Sequence, residues 1–208
     1  MMRARLYVTV LSVAAATSLV VGTVISHGSD NHGPGEAAAR QGVVYLLRQT
    51  ASYEYKPFAD QAAMLDAVDV SVVGKVDHLE TAVVNDELDG QGALLVAIQP
   101  EELWKGSPAT EAGLVYFAVP RPKNIEADVY RTALPAGTDV VLFGVVHPPA
   151  TNFSSGDPGV TTYVPVPQGL YIDEPAAGLQ NVWAEDLGSD GWPDTATIGE
   201  LRDAALSD

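Results

Sequence analysis

Few side chains in this sequence can do chemistry, and those few are spread along it. There are 4 histidines and no cysteine. His27 and His32 flank Asp30 in the run HGSDNHGPG, residues 27–35. Such a trio could chelate a divalent cation, but Gly-rich polar runs form flexible connections and gather these residues incidentally, so a linker is expected. His78 and His147 are the histidines of the folded part, the second directly before Pro148. A nucleophilic mechanism needs a hydroxyl held against a positioned base. With two histidines and no G-x-S-x-G elbow, both read as strand-end or surface residues.

Acids are the abundant chemical groups. Asp186, Asp190, Gly191 and Asp194 in DLGSDGWPD follow part of a calcium loop, which places oxygens at alternating positions around a glycine turn. Gly188 at the third position and Thr197 at the twelfth, where a bidentate Glu belongs, point to a turn instead. Asp86, Glu87 and Asp89 read the same way. Paired carboxylates for glycoside hydrolysis are uninformative here, because 27 acids make many pairs and sequence gives no separation. Trp104, Trp183 and Trp192 could stack on a sugar, although core packing and loop anchoring are the commoner uses of tryptophan. Asn152, Phe153 and Ser154 form a glycosylation acceptor if the source is eukaryotic. Neither a dinucleotide fingerprint nor a phosphate-binding loop occurs. No catalytic, cofactor-binding or metal residue is assigned, and no cofactor is expected.

Composition narrows the function classes further. The absence of cysteine excludes disulfides, thiolate metal sites, thiol nucleophiles and a lipoprotein anchor. Against the 27 acids stand 11 bases, a formal charge of -16. A surface of that sign repels polyanions, so nucleic acid is not an expected partner. From residue 151 onward Arg202 is the only base. With 47% hydrophobic and 18% charged residues the chain has the composition of a folded globular protein.

Arg3 and Arg5 precede twenty uncharged residues, 6–25, in the order of an export signal. Val24 and Ser26 suit cleavage after Ser26, and Ala14 and Ala16 offer an earlier point. A stretch of this length can also remain as a membrane anchor. Either way the two arginines stay inside and the rest faces outward. The expected organisation is a signal peptide or anchor at 1–26, a linker with a helix at 27–57, a β-barrel domain at 58–183 and a tail with a short helix at 184–208. The expected location is secreted or cell-surface, with membrane contact only through an uncleaved N-terminal segment.

Hydrophobic periodicity supplies the elements. Val43, Val44 and Leu47 lie at helical spacing within 36–49, and Phe58, Ala62 and Leu65 form a helical face after Pro57. Val70, Val72, Gly74 and Val76 alternate with Ser71, Val73, Lys75 and Asp77, the pattern of a strand buried on one side, with Gly74 at a bulge or bend. A turn at 86–92 leads to a returning strand at 93–98, and a third strand covers 113–119. A Pro-rich excursion over 120–137 precedes the apolar strand 139–146. Val160, Thr162, Val164 and Val166 alternate in a fifth strand, and 169–172 with 179–183 make a closing hairpin. Thr197 and Glu200 have capping-box spacing ahead of Ile198, Leu201 and Ala205. The fold expected is mainly β: a small antiparallel OB-like barrel with flanking short helices and an N-terminal apolar helix.

Four short motifs carry a resemblance: DVSVVGKV (69–76), LWKG (103–106), GTDVVLF (137–143) and QGLY (168–171). In this order they resemble a group of exported actinobacterial proteins of unknown function. That resemblance implies an OB-like barrel over 69–183, similar in kind to netrin and tissue-inhibitor modules, with no assigned activity. Gly144 departs from the pattern, which has a large apolar residue there. The expected function is a non-enzymatic envelope or secreted binding module for an extracellular protein or glycan. The alternatives are an exported carboxylate-dependent hydrolase and a protease-inhibitor-like module, the latter weakened by the missing cysteines.

Overall fold

A computed structural model describes residues 42–49, 56–84, 91–107, 113–122, 124–146, 153–154, 160–175, 177–183 and 197–207. The leader, the linker and the calcium-like and Asp86–Glu87–Asp89 stretches lie outside these. Among the described residues no helix is long and apolar enough to cross a membrane.

In chain order the elements are α1 (Val43–Arg48), α2 (Gln61–Ala67), β1 (Val70–Thr81), β2 (Val83–Val84), β3 (Gln91–Lys105), β4 (Val115–Pro122), α3 (Ala127–Ala133), β5 (Asp139–Val146), β6 (Phe153–Ser154), β7 (Thr162–Glu174), β8 (Gly178–Asn181) and α4 (Ile198–Ala205). Strand β1 pairs antiparallel with both β3 and β5, β3 with β4, and β5 with β7. The ring is closed by β4 and β7, which run parallel through Tyr116↔Thr162 and Phe117↔Tyr163. The fold is therefore a closed five-stranded mixed β-barrel, ordered β1-β3-β4-β7-β5, with β8 extending the sheet along the far half of β7. This corrects the all-antiparallel expectation. A parallel pair needs a long connection, and the route from β4 through α3 and β5 to β7 supplies it.

Closure of so few strands demands sharp coiling, and glycines at bulges allow it. A Cβ on Gly74 would lie 2.3 Å from the Gln99 carbonyl oxygen, where the β1–β3 register shifts. One on Gly169 would lie 2.5 Å from the Phe143 carbonyl oxygen, beside the irregularity between β5 and β7.

The bore is filled by Val72, Val76, Val96, Ile98, Phe117, Val140, Leu142, Leu170 and Ile172. α1 and α3 cover one end of it. Six residues are too few for a helix to persist alone, so α1 owes its helicity to docking. Its Val43, Val44, Leu46 and Leu47 are all buried, each stabilising by about 1.5–3 kcal/mol when fully withdrawn from water. Glu174 accepts from the Val44 amide at 3.2 Å, and Arg48 donates to the carbonyls of Val182 and Asn181 at 2.7 and 3.0 Å. On the outer wall of β1, β5 and β7 a second layer forms: Met64 of α2 and Leu201 and Ala205 of α4 pack over Val73, Val141, Phe143 and Tyr171.

Three sequence expectations change. β1 is buried on both faces at its start, where Ser71 is fully buried and α2 and α4 pack over Val73. The fifth strand and the first arm of the closing hairpin are one strand, β7, whose bore-facing residue near its start is Tyr163. The Pro-rich excursion holds α3, where Tyr130 and Leu134 enter the bore at i, i+4 spacing.

Candidate functional site

The motif residues are engaged in holding the barrel. Lys105 donates to the carbonyls of Leu65 and Asp66, both at 2.8 Å, capping the last turn of α2. Trp104 meets the edge of Phe143 with centroids 5.7 Å apart. Gly106 has φ +77, and a Cβ there would lie 2.6 Å from the Asp69 carbonyl oxygen. Asp69 in turn accepts from the Val146 amide at 2.8 Å. Gly137 has φ +89 and donates to the Val76 carbonyl at 2.7 Å. Gln168 is buried and accepts from the Phe58 amide at 2.7 Å, while its carbonyl takes the Asn181 side chain at 2.7 Å. At Gly144 a Cβ would stand 3.2 Å from Tyr163 Cβ, which explains the missing large residue.

The three tryptophans do not form one platform. Trp183 is 1% exposed in the bore cluster and Trp104 lies in the outer layer, so the two serve different cores. Trp192, Asn152 and His147 lie outside the described residues.

Among the described residues, His78 is the one sequence candidate in a polar setting. It stands on the outer wall of β1, opposite Ala97 of β3, which in turn faces Tyr116 of β4. Its ring meets that of Tyr116 edge-on, centroids 6.1 Å apart. Asp77 Oδ2 lies 2.6 Å from Nδ1 and Glu80 Oε1 lies 3.2 Å from Nε2. A base oriented by a carboxylate is half of a nucleophilic arrangement. The other half needs a hydroxyl at the free ring nitrogen, and Glu80 occupies that position. The groups are also solvent-exposed, side chains at 37% for His78, 48% for Asp77 and 52% for Glu80. This geometry makes a polar binding spot better than a reaction centre.

Around it the wall is apolar and small. Ala93, Leu95, Ala97 and Ala118 all point outward from β3 and β4 yet are at most 3% exposed. Ala82, at the root of β2, packs with Ala93, Leu95 and Tyr116 and donates to the Ala93 carbonyl at 3.1 Å. β2 pairs with β6 through Val83↔Ser154 and Val84↔Phe153, which joins the β1–β3 connection to the β5–β7 connection beside this wall. Sequence patterning could not reveal this, since two-residue strands carry no periodicity.

Three further carboxylates have structural partners. Asp139 and Glu101 flank Lys75, and the hydrogen bond from Lys75 to Asp139 raises the lysine pKa. Glu102 pairs with Arg202 at 3.2 Å, tying α4 to β3. Among the described residues no three His, Asp or Glu side chains are grouped to hold a metal. Inside the barrel, beneath α1 and α3, lies a void of about 10 Å³ lined by apolar side chains and by Tyr130. Burial pushes the Tyr130 phenol up to about 12, and its hydroxyl has no hydrogen-bond partner among the described residues. No protein family, curated protein or solved structure matches the chain.

Proposed function

We propose that the chain is an exported, non-enzymatic binding module with an OB-like barrel, which presents the outer wall of β3 and β4 to a protein or glycan outside the cell. The observation that carries this is the pairing of β2 with β6, which brings two connections together against one wall. OB barrels bind their ligands on the face of their second and third strands, between the loops after the first and fourth. Here the second and third barrel strands are β3 and β4, and the corresponding loops are those that β2 and β6 belong to. The helix between β4 and β5 suits the same plan. The uncharged stretch 6–25 behind Arg3 and Arg5 supports export. His78 and Tyr116 supply the polar and aromatic contacts typical of a recognition surface.

The test is co-sedimentation of the purified protein with isolated cell envelopes from the source cells. His78→Ala with Tyr116→Ala should abolish pelleting while leaving the melting temperature within a few degrees. Unchanged pelleting by that variant would remove the wall from the account. A turnover activity lost on replacing Asp77 and Glu80 would favour the carboxylate hydrolase instead.

A further inference from the structure

Val76 and Leu79 both belong to the bore although they stand three apart on β1, where regular alternation would send them to opposite faces. A bulge resolves the conflict. The register runs from Val76↔Ile98 directly to His78↔Ala97, so Asp77 is the extra residue and has no partner across β3. Asp77 and His78 therefore both face outward, and Glu80 follows on the same wall. One imidazole is thereby set between two carboxylates, with Asp77 Oδ2 2.6 Å from Nδ1 and Glu80 Oε1 3.2 Å from Nε2. Only the imidazolium satisfies both, because it donates from both nitrogens; a neutral ring donates from one and turns a lone pair on the other carboxylate.

Histidine is the side chain whose charge changes near neutral pH. Glu80 makes the longer contact, so it is the partner that loses its donor when the ring becomes neutral, while Nδ1–H stays on Asp77. Among the described residues the titratable groups about the ring are Asp77 and Glu80 of β1 itself and Tyr116 of β4, and the neighbour on β3 is Ala97. α3 brings Arg131 to the Leu79 carbonyl at 3.2 Å, and that guanidinium pairs with Asp128. Carboxylates on a chain of formal charge -16 complement a basic group. We propose that Asp77, His78 and Glu80 form a pH-operated clasp on the wall assigned above to binding, a reading on which this inference rests. The imidazolium holds Glu80 closed, and the neutral ring releases it to meet a basic side chain of a protein partner. Acidification then weakens binding, because it takes one net negative charge from the trio and occupies the free carboxylate.

The experiment follows the purified full-length protein by NMR of the His78 ring nitrogens and the Glu80 carboxyl carbon between about pH 5 and 8, and by pelleting with isolated cell envelopes near the two ends of that range. The Glu80 carbon should move in step with the ring, and His78→Gln should remove that step. Wild type should bind envelopes roughly two- to fivefold more tightly at the higher pH, the range of an exposed ion pair. His78→Gln should bind equally at both, and His78→Lys, whose charge is permanent, should bind more weakly than His78→Gln at both. A merely structural histidine would leave the ratio between the two pH values unchanged on replacement. The clasp would be overturned by a Glu80 carbon that stays still while the ring titrates, by wild-type binding equal at both pH values, by a pH ratio that survives in His78→Gln, or by His78→Lys binding as well as His78→Gln. Wild type that pellets at neither pH would overturn the binding wall instead, and the Glu80 carbon would still decide whether the clasp closes.

Discussion

Glu174 and Gly42 are fitted to one another: a Cβ on Gly42 would lie 2.6 Å from Glu174 Oε1, the oxygen that accepts from the Val44 amide. Gly42 also has φ +88, so the entry to α1 depends on glycine twice over. Gly42→Ala should cost about 1–3 kcal/mol through the left-handed backbone and the displaced carboxylate. Glu174→Ala, which keeps the glycine, should cost less, about 0.5–2 kcal/mol for one helix-start hydrogen bond. Urea unfolding of both variants checks the ranking, and equal or reversed losses would contradict it.

Gly74→Ala and Gly169→Ala should each destabilise by about 1–3 kcal/mol, the usual cost of forcing atoms into packed space. Each new methyl would meet a backbone carbonyl oxygen, at 2.3 Å from Gln99 and 2.5 Å from Phe143, and backbone cannot rotate aside. Gly113→Ala is the control for crowding, since nothing lies within 4 Å of its Cβ position even though its φ is +69. Chemical denaturation should rank Gly113→Ala as the mildest of the three.

Lys105 holds the end of α2 by two bonds to carbonyl oxygens. Lys105→Met keeps most of the stem and loses both, so it should cost about 1–2 kcal/mol and speed hydrogen exchange in α2 before the barrel strands. Uniform loss of protection across β1 and β5 would mean that α2 is not a separable unit.

Alkaline stability follows from the buried phenols. Burial raises Tyr130 to about 12 and also raises Tyr163 and Tyr171, against an unfolded value of 10. Above pH 10 the unfolded chain releases these protons while the folded chain keeps them, so stability should fall as pH rises. Below pH 10 the three phenols contribute no pH dependence. For Tyr130 the loss runs from about pH 10 to pH 12, at no more than about 1.4 kcal/mol per pH unit. Tyr130→Phe should flatten that decline in a pH series of denaturation midpoints. An unchanged slope would show that the phenol is not shielded.

Much of the barrel was legible because bore-facing residues impose a period of two on β1, β3 and β5, and because Gly74 interrupts β1 at a real bulge. α3 was hidden by Pro120 and Pro122, which read as a loop although they end β4 and the helix begins five residues later. Parallel closure of β4 on β7 was beyond pattern reading, since alternation is blind to strand direction. The site was less accessible still. His78 was visible, but Asp77, Glu80 and Tyr116 become its neighbours only through the bulge after Val76 and the register across Ala97. Arg121 reaches the Ile125 carbonyl only because the chain turns back between β4 and α3.

The account rests most heavily on the barrel standing outside the cytoplasm. A reporter that is active only after crossing the membrane, fused behind Asp208 of the full-length chain, tests this directly. The account predicts an active reporter, silenced when residues 1–26 are removed. An inactive reporter on a soluble cytoplasmic fusion, or activity that survives loss of 1–26, would contradict it.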